Sequence, residues 1–195
     1  MNSRLNKKDV KNKGQIGEIK MKKIIGIVLI AVMVLAFVGC KDKGSEVHVS
    51  VADIVSSIKG QIAADLKAGG VPEEVFKESE VPGYMVTDFM KEDQNPMLES
   101  FNKADLEEGF ALQQMMNVKS DLIIVLEAKD KAKVESIKTA LGKIKEQQIN
   151  TWSTYLPDQY EKVQKNIIKA EGNYLIYITY DNPEKIEELF TKALK

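Results

Sequence analysis

The chain has 195 residues, 44% hydrophobic and 29% charged, which is the composition of a globular protein rather than a disordered one. One Cys and one His exclude a disulfide framework, a multi-cysteine zinc site and a histidine-based metal cluster within the chain. Residues 1–39 carry eight basic and two acidic side chains, whereas residues 40–195 carry 20 Lys, no Arg and 27 acidic residues. Because phosphate contacts need a basic face, we expect no nucleic-acid partner.

A basic and then apolar segment lies near the N-terminus. Met21-Lys22-Lys23 precedes an apolar run over residues 24–38, which ends at Gly39-Cys40. A basic stretch, a short apolar stretch and a small residue before the cleavage point are typical of a secretory signal peptide. The run is shorter than the ~20 residues that a comfortable membrane span requires. We therefore predict a signal peptide over residues 21–39, with a retained membrane anchor or a buried core helix as the alternatives.

The end of this segment, Phe37-Val38-Gly39-Cys40, resembles a bacterial lipobox, although Phe37 stands where Leu is usual. The resemblance implies that the Cys40 thiol receives a diacylglyceryl group before cleavage in front of it. Cys40 would then be a lipid attachment, with acyl chains such as palmitate, and not a nucleophile or metal ligand. Each buried CH₂ contributes about 0.8 kcal/mol, so two or three chains hold a protein at a membrane. We expect a lipid-anchored protein on the extracytoplasmic face of the cell membrane.

The same segment divides the chain. Residues 1–20 are polar and unpatterned, and a typical signal sequence begins at Met21, so we interpret residues 1–20 as an upstream extension and Met21 as the true start. The alternative is that residues 1–20 are an extended basic region of the signal peptide. Residues 40–50 contain the lipidated cysteine and a polar tether that need not fold. Residues 51–195 are predicted to form one domain.

The domain begins with a helix from Val51 to Lys67, since apolar residues recur there at helical spacing. Ser50 is a suitable N-cap, and Gly69-Gly70 supplies the stop. The following segment is rich in Pro and Gly. It predicts a short helix near Glu73–Lys77 and then irregular or edge-strand structure around Tyr84–Phe89.

Two strands are predicted next, at Phe110–Met116 and Leu122–Ala128. The second is apolar on both faces, which indicates a central strand. Asp130 then caps a long helix that continues to about Gln148, and Pro157 begins another short helix.

The last third repeats this scheme. Ile167–Ala170 and Tyr174–Tyr180 form a predicted hairpin around the turn Glu171-Gly172-Asn173. Asn182 caps and Pro183 opens a final helix. Two β-β-α units thus follow an N-terminal helix, in the order α-β-β-α-α-β-β-α. We predict a single α+β domain, an antiparallel sheet of about four strands with the helices packed on one face.

Aromatic side chains are the best candidates for a binding surface, because amphipathic rings are enriched where an apolar body meets a wet rim. The alternative is that these rings pack the long helix onto the sheet. The candidates are Trp152, Tyr155, Tyr160, Tyr174 and Tyr177.

Three other groups of residues have a simpler interpretation. The methionines could form an adaptable binding surface, but core filling is the commoner role; they are Met85, Met90, Met97, Met115 and Met116. His48 lies beside the tether and is interpreted as solvated. The carboxylates at Glu73, Glu74, Glu78 and Glu80 lack the spacing of a calcium loop, so they predict a solvated acidic patch and no metal site.

Recognisable catalytic signatures such as GxSxG, a P-loop or HExxH do not occur in the sequence. A nucleophile with its base cannot be assembled from one His together with Lys and carboxylates. We therefore expect neither an enzyme nor a cofactor, with catalysis by a carboxylate pair as the remaining alternative.

A family resemblance completes the sequence analysis. It rests on the lipobox, the strand Leu122–Ala128 before a long charged helix, Tyr155-Leu156-Pro157-Asp158-Gln159-Tyr160 and the Gly172-Asn173-Tyr174 hairpin. Together these resemble an uncharacterised lipoprotein family of Gram-positive bacteria, domain of unknown function 4358, over most of residues 47–195. The resemblance implies an envelope location and a single α+β domain. It implies no reaction, ligand or catalytic residue.

Three functions follow as expectations. The first is a non-enzymatic lipoprotein that binds a protein or another component of the cell envelope, and a flat exposed aromatic patch would favour it. The second is a small ligand-binding lipoprotein serving a transporter, favoured by a concave pocket with tyrosines and few charges. The third is a carboxylate-based envelope hydrolase, favoured by two buried carboxylates that face each other across a cleft.

Overall fold

The structure is a computed structural model of the chain. The residues it describes are 48–78, 80–92 and 96–195. The predicted upstream extension, the signal peptide, Cys40 and most of the tether lie outside the described residues. Within the described ranges, no helix combines the length and apolarity needed to cross a membrane.

The described part of the domain contains five strands and four α-helices. The strands are β1 (Tyr84–Asp88), β2 (Leu106–Gln114), β3 (Leu122–Ala128), β4 (Ile167–Glu171) and β5 (Tyr174–Thr179). The helices are α1 (Val51–Ala68), α2 (Val134–Trp152), α3 (Pro157–Gln164) and α4 (Pro183–Ala193). The predicted short helix near Glu73–Lys77 is a 3₁₀ turn at Glu73–Val75.

The strands form one antiparallel sheet in the order β1-β2-β3-β5-β4. Every residue of β3 is buried, as expected for a central strand whose two faces are both covered. β1 is the edge strand that the sequence indicated around Tyr84–Phe89, and it raises the strand number from about four to five. The predicted α+β class and the single antiparallel sheet are confirmed.

The helices lie on both faces of the sheet, which corrects the prediction of one face. α1 and α4 pack on one side against alternate residues of β3, including Ile123 and Val125. α2 packs on the other side against Ile124 and Leu126. Because β3 is apolar on both faces, a one-sided arrangement would leave half of its side chains in water.

Local hydrogen bonds start the helices where the sequence predicts. The Ser50 hydroxyl accepts from the Ala52 N–H at 3.1 Å, and the Glu108 carboxylate on β2 accepts from the Val51 N–H. The Asp130 carboxylate accepts from the Ala132 N–H at 2.9 Å, so a 3₁₀ turn leads into α2. The bond between Val51 and Glu108 joins the start of α1 to the first part of β2.

Candidate functional site

The start of β3 carries a buried ion pair. The two oxygens of the Asp121 carboxylate accept from different groups, Oδ2 from the Tyr84 hydroxyl at 2.6 Å and Oδ1 from the Lys162 ammonium at 2.5 Å. Lys162 Nζ also lies 2.7 Å from the Asp181 carboxylate. Because Tyr84 belongs to β1 and Lys162 to α3, Asp121 ties an edge strand and a helix to the centre of the sheet.

The protonation states of Tyr84 and Lys162 are fixed at neutral pH. Burial, together with the Asp121 carboxylate, raises the pKa of the Tyr84 phenol far above its usual range. Burial alone would lower the pKa of Lys162, but its hydrogen bonds to Asp121 and Asp181 outweigh that effect and raise it. A neutral phenol and a charged ammonium with firmly held protons stabilise the fold and are poorly suited to proton transfer.

A second polar network lies beside the first. The Gln148 side chain on α2 accepts from the Tyr177 hydroxyl at 2.7 Å and the Thr179 hydroxyl at 2.8 Å, and it donates to the Ser120 carbonyl at 3.0 Å. On α3, the Gln159 side chain accepts from the Ser120 N–H at 2.9 Å. The amides therefore join α2 and α3 to the same end of the sheet.

A groove of about 380 Å³ opens next to these amides, between α2 and the start of β3. Its volume falls within the range of small-molecule sites. Most of the wall is apolar or amide in character, and it also includes the charged Lys119 and Asp121. It includes Met97, Gln113, Leu122, Gln147, Gln148 and Trp152.

The five predicted aromatic residues do not form one surface. Trp152 is nearly buried and lines the groove, and its ring lies 5.7 Å from that of Tyr155, which is 52% exposed. Tyr160 is half-buried on α3. Tyr174 and Tyr177 lie on opposite faces of β5, because neighbouring residues of a strand alternate between faces. Tyr177 is fully buried, so its place in a binding surface was wrongly predicted.

A group of exposed apolar side chains, which the aromatic prediction did not include, lies at the β1 edge on both faces of the strand. Met115 is 66% exposed and Met116 56% exposed in the turn after β2, and Met85 is 45% exposed on β1. The Met115 N–H donates to the Gly83 carbonyl at 2.8 Å, which holds that turn beside the start of β1. We call this group the methionine edge. It consists of Met85, Val86, Met115, Met116 and Val118.

Two of the methionines in the sequence analysis lie outside the methionine edge. Met90 is exposed just beyond β1, whereas Met97 packs against the core beneath α2. Core filling, the commoner role, therefore describes Met97 but not Met85, Met90, Met115 or Met116. Composition alone could not indicate that these four methionines are exposed.

The opposite end of β3 holds a different polar group. His48 Nε2 lies 3.2 Å from the Glu127 carboxylate, so His48 has a charged neighbour although 61% of its side chain is exposed. Burial raises the pKa of Glu127, against the opposing effects of His48 and the Tyr174 hydroxyl. The interpretation of His48 as merely solvated was incomplete, because no local pattern connects residues so far apart in the chain.

The acidic patch is solvated as predicted, with Glu73 joined to Lys67 by an exposed ion pair. Among the described residues, no group of three or more His, Cys, Asp or Glu side chains is arranged to hold a metal ion.

Comparison with known families identifies the part of the chain that contains these features. Residues 84–180 match the family model described as Domain of unknown function (DUF4358). This part of the chain is therefore similar to the DUF4358 family, which supports the resemblance noted in the sequence. The match runs from β1 to the end of β5 and so includes the methionine edge, the groove and the Asp121–Lys162 pair, whereas α1 and α4 lie outside it. No curated protein and no solved structure matches the chain.

Proposed function

We propose that the chain is a lipid-anchored lipoprotein of the cell envelope, of the Gram-positive type that the resemblance implies. Its folded domain would be a non-enzymatic binding module that contacts a protein or another envelope component. The anchor rests on the apolar run over residues 24–38 and on the lipobox that ends at Cys40. The tether then presents the domain outside the cytoplasmic membrane.

The methionine edge carries the binding part of the proposal. Soluble monomers rarely expose large contiguous apolar patches, and such patches often mark interaction sites. Methionine suits this role because its unbranched, polarisable side chain adapts to differently shaped partners. Met85, Met115 and Met116 are all exposed, and the turn that carries Met115 and Met116 is held beside the start of β1.

The hydrolase alternative has less support. Asp121 is occupied by Tyr84 and Lys162. The Glu108 carboxylate, near Glu127, already accepts from the Ser50 hydroxyl and the Val51 N–H. These carboxylates are used to hold strands and helix ends, whereas a catalytic pair must face a substrate.

A small-ligand function is the second candidate, and the groove favours it. Trp152 offers an aromatic wall, and Gln113 and Gln147 offer amide groups to a small polar ligand. Tyrosines, which would have strengthened this candidate, are not among the described residues that line the groove, and the buried Tyr177 instead donates to Gln148. Loss of ligand binding on Trp152→Ala, with the methionine edge intact, would favour this candidate over a protein partner.

The anchor is tested by intact mass and detergent partitioning of the full chain from its native membrane, beside Cys40→Ala. We expect a mature chain that starts at an acylated Cys40 and partitions into detergent, and a variant that does not. An unmodified chain that retains residues 1–39 would overturn the envelope location.

The binding surface is tested by crosslinking in intact cells with Met116→Asp and Val75→Asp. Val75 is a matched control, since it is also exposed and apolar but lies outside the sheet, on the 3₁₀ turn after α1. We expect crosslinked partners to be lost with Met116→Asp and kept with Val75→Asp. Equal crosslinking in both variants would contradict a binding role for the methionine edge.

A further inference from the structure

The outer side of β1 carries a short row of unpaired backbone groups. The hydrogen bonds from the Met115 N–H to the Gly83 carbonyl and from the Phe89 N–H to the Gly109 carbonyl fix which residues of β1 face β2. In an antiparallel pair this alternation repeats every second residue. Residues 83, 85, 87 and 89 therefore face β2, and Tyr84, Val86 and Asp88 direct their backbone groups outward.

Some of these outward groups are already used. The Tyr84 N–H donates to the Val81 carbonyl at 3.1 Å, and the Asp88 carbonyl accepts from the N–H groups of Lys91 and Glu92. Within the described ranges, no hydrogen bond engages the remaining groups of the row. They are the Tyr84 carbonyl, the Val86 N–H, the Val86 carbonyl and the Asp88 N–H.

This row is complementary to itself. If a second β1 runs antiparallel with Val86 opposite Val86, each Val86 donates to and accepts from the other. Each Asp88 N–H then meets the Tyr84 carbonyl of the other copy. The Tyr84 N–H and the Asp88 carbonyl are already bonded within one chain. In this register the Tyr84 N–H of one copy lies opposite the Asp88 carbonyl of the other, so no donor faces a donor.

We propose that the domain pairs with a second copy of this chain through β1, about a two-fold axis at Val86. The two sheets join into one continuous antiparallel sheet. Such an isologous contact closes on itself and does not propagate into a fibre. Pairing covers part of the methionine edge, since Met85 and Val86 lie on β1 at the contact.

The side chains of β1 support a protein strand as the occupant. Natural proteins guard edge strands with Lys, Pro or bulges that prevent pairing. Met85, Val86 and Thr87 at the centre of β1 are uncharged, and its pairing with β2 is regular from Tyr84 to Asp88. The centre of β1 therefore lacks the charges, prolines and bulges that block strand pairing.

A second copy is favoured over another peptide as the partner of β1 because the proposed lipid anchor holds every copy at the same membrane. This step rests on the proposed function, since a lipid anchor confines every copy to one membrane plane and raises its effective concentration toward its neighbours. Copies held with the same orientation to the membrane can be related by a two-fold axis along the membrane normal. The self-complementary row then needs no other component.

The test compares single substitutions at the two sheet edges in the full chain, purified from membranes in mild detergent. Val86→Pro removes an outward N–H but no bond to β2, and proline is tolerated on edge strands. Ala170→Pro is the matched control on the outer side of β4. Sedimentation should show a dimer for the parent chain and for Ala170→Pro, and loss of the dimer for Val86→Pro. Circular dichroism confirms that each variant is folded.

Crosslinking identifies the occupant. Val86→Cys, oxidised in the membrane, should give a disulfide-linked product with the mass of two chains. Ala170→Cys and the parent chain should give no such product. These two controls report on any reaction through Cys40. A product that contains another protein, or a monomeric parent chain without any product, overturns the pairing. A monomer that is still acylated at Cys40 leaves the proposed function standing, and a dimer without lipid overturns only the anchor.

Discussion

The two edges of the sheet are finished in different ways. On β4, Lys169 Nζ lies 3.0 Å from Glu187 Oε1 and 2.8 Å from Thr191 Oγ1, so α4 is attached to this edge. Ile167 and Ile168 pack into the cores on opposite faces of the sheet. On β1, by contrast, Tyr84 is buried, while the next two side chains are exposed.

The difference shows that β4 is protected against pairing with other strands and that β1 is less protected. An edge that carries a charged side chain and is flanked by helices resists pairing with other strands, whereas the uncharged centre of β1 lacks this protection. β1 is nonetheless fixed firmly in place, because the Tyr84 hydroxyl is bonded to the buried Asp121. A rigid strand with an open outer side is the arrangement used in recognition by strand addition.

Lys162→Met should cause the largest loss of stability, and it acts on the ion pair that helps to hold β1. It leaves Asp121 as an uncompensated buried charge, which costs roughly 3–5 kcal/mol of unfolding free energy. Denaturant unfolding measures this loss. Adding Asp121→Asn should recover a part of it, because the unpaired charge is then removed. A double variant as unstable as Lys162→Met alone would contradict the role given to this ion pair.

Tyr84→Phe should loosen β1 more than β4. Loss of the hydrogen bond to a charged acceptor costs about 1.5–3 kcal/mol. The inward-facing amides of β1 should exchange hydrogen faster, whereas those of β4 should change only by the global loss. Tyr155→Phe is the control, since Tyr155 is 52% exposed and should be silent. Equal acceleration at both edges would mean that Tyr84 does not anchor β1.

Lys169→Met should have a smaller effect at the other edge. The ion pair with Glu187 is about one-third exposed on both sides, with side-chain exposures of 31% and 33%. A pair of this kind contributes about 0–1 kcal/mol. Thermal unfolding should therefore shift little, and β1 should be unaffected. A loss as large as that from Lys162→Met would show that the two edges are anchored alike.

The smallest effect concerns pH at the end of β1. Burial tends to raise the pKa of Asp88, but hydrogen bonds from Lys91 and the Met90 N–H outweigh it and hold the pKa below the ordinary value of 3.8. Because the folded pKa is the lower one, Asp88 stabilises the fold above 3.8, and this contribution is lost as the pH falls through the folded value. Stability measured against pH should be flatter in this range for Asp88→Asn, and an unchanged slope would contradict the assignment.

Much of the fold follows from local patterns in the sequence. The apolar strand Leu122–Ala128 predicts the central position of β3, and Pro183 predicts the start of α4. Because β3 is apolar on both faces, the sequence also indicated helices on both sides of the sheet. The prediction that all helices pack on one face did not use this observation. Periodicity assigns residues to faces, but it does not say which helix returns to which face.

The candidate sites depend on long-range contacts that no local pattern encodes. Tyr84 and Asp121 are 37 residues apart, and Asp121 and Lys162 are 41 apart. The aromatic prediction treated Tyr174 and Tyr177 as one stripe, although residues three apart on a strand lie on opposite faces. The exposure of Met115 and Met116 follows from their place in a turn, which the predicted strand over residues 110–116 had included in the sheet.

The most direct test of the account is residue-resolved hydrogen exchange of the full chain in its membrane. In a single copy the Val86 N–H faces outward without a partner, whereas the Met85 N–H faces β2. If β1 is the binding edge, the Val86 amide should exchange about as slowly as the Met85 amide, and Met116→Asp should change the exchange of Met85 less than that of Val86. Rapid exchange at Val86 beside slow exchange at Met85, in the acylated protein at its native density, would show that β1 has no partner.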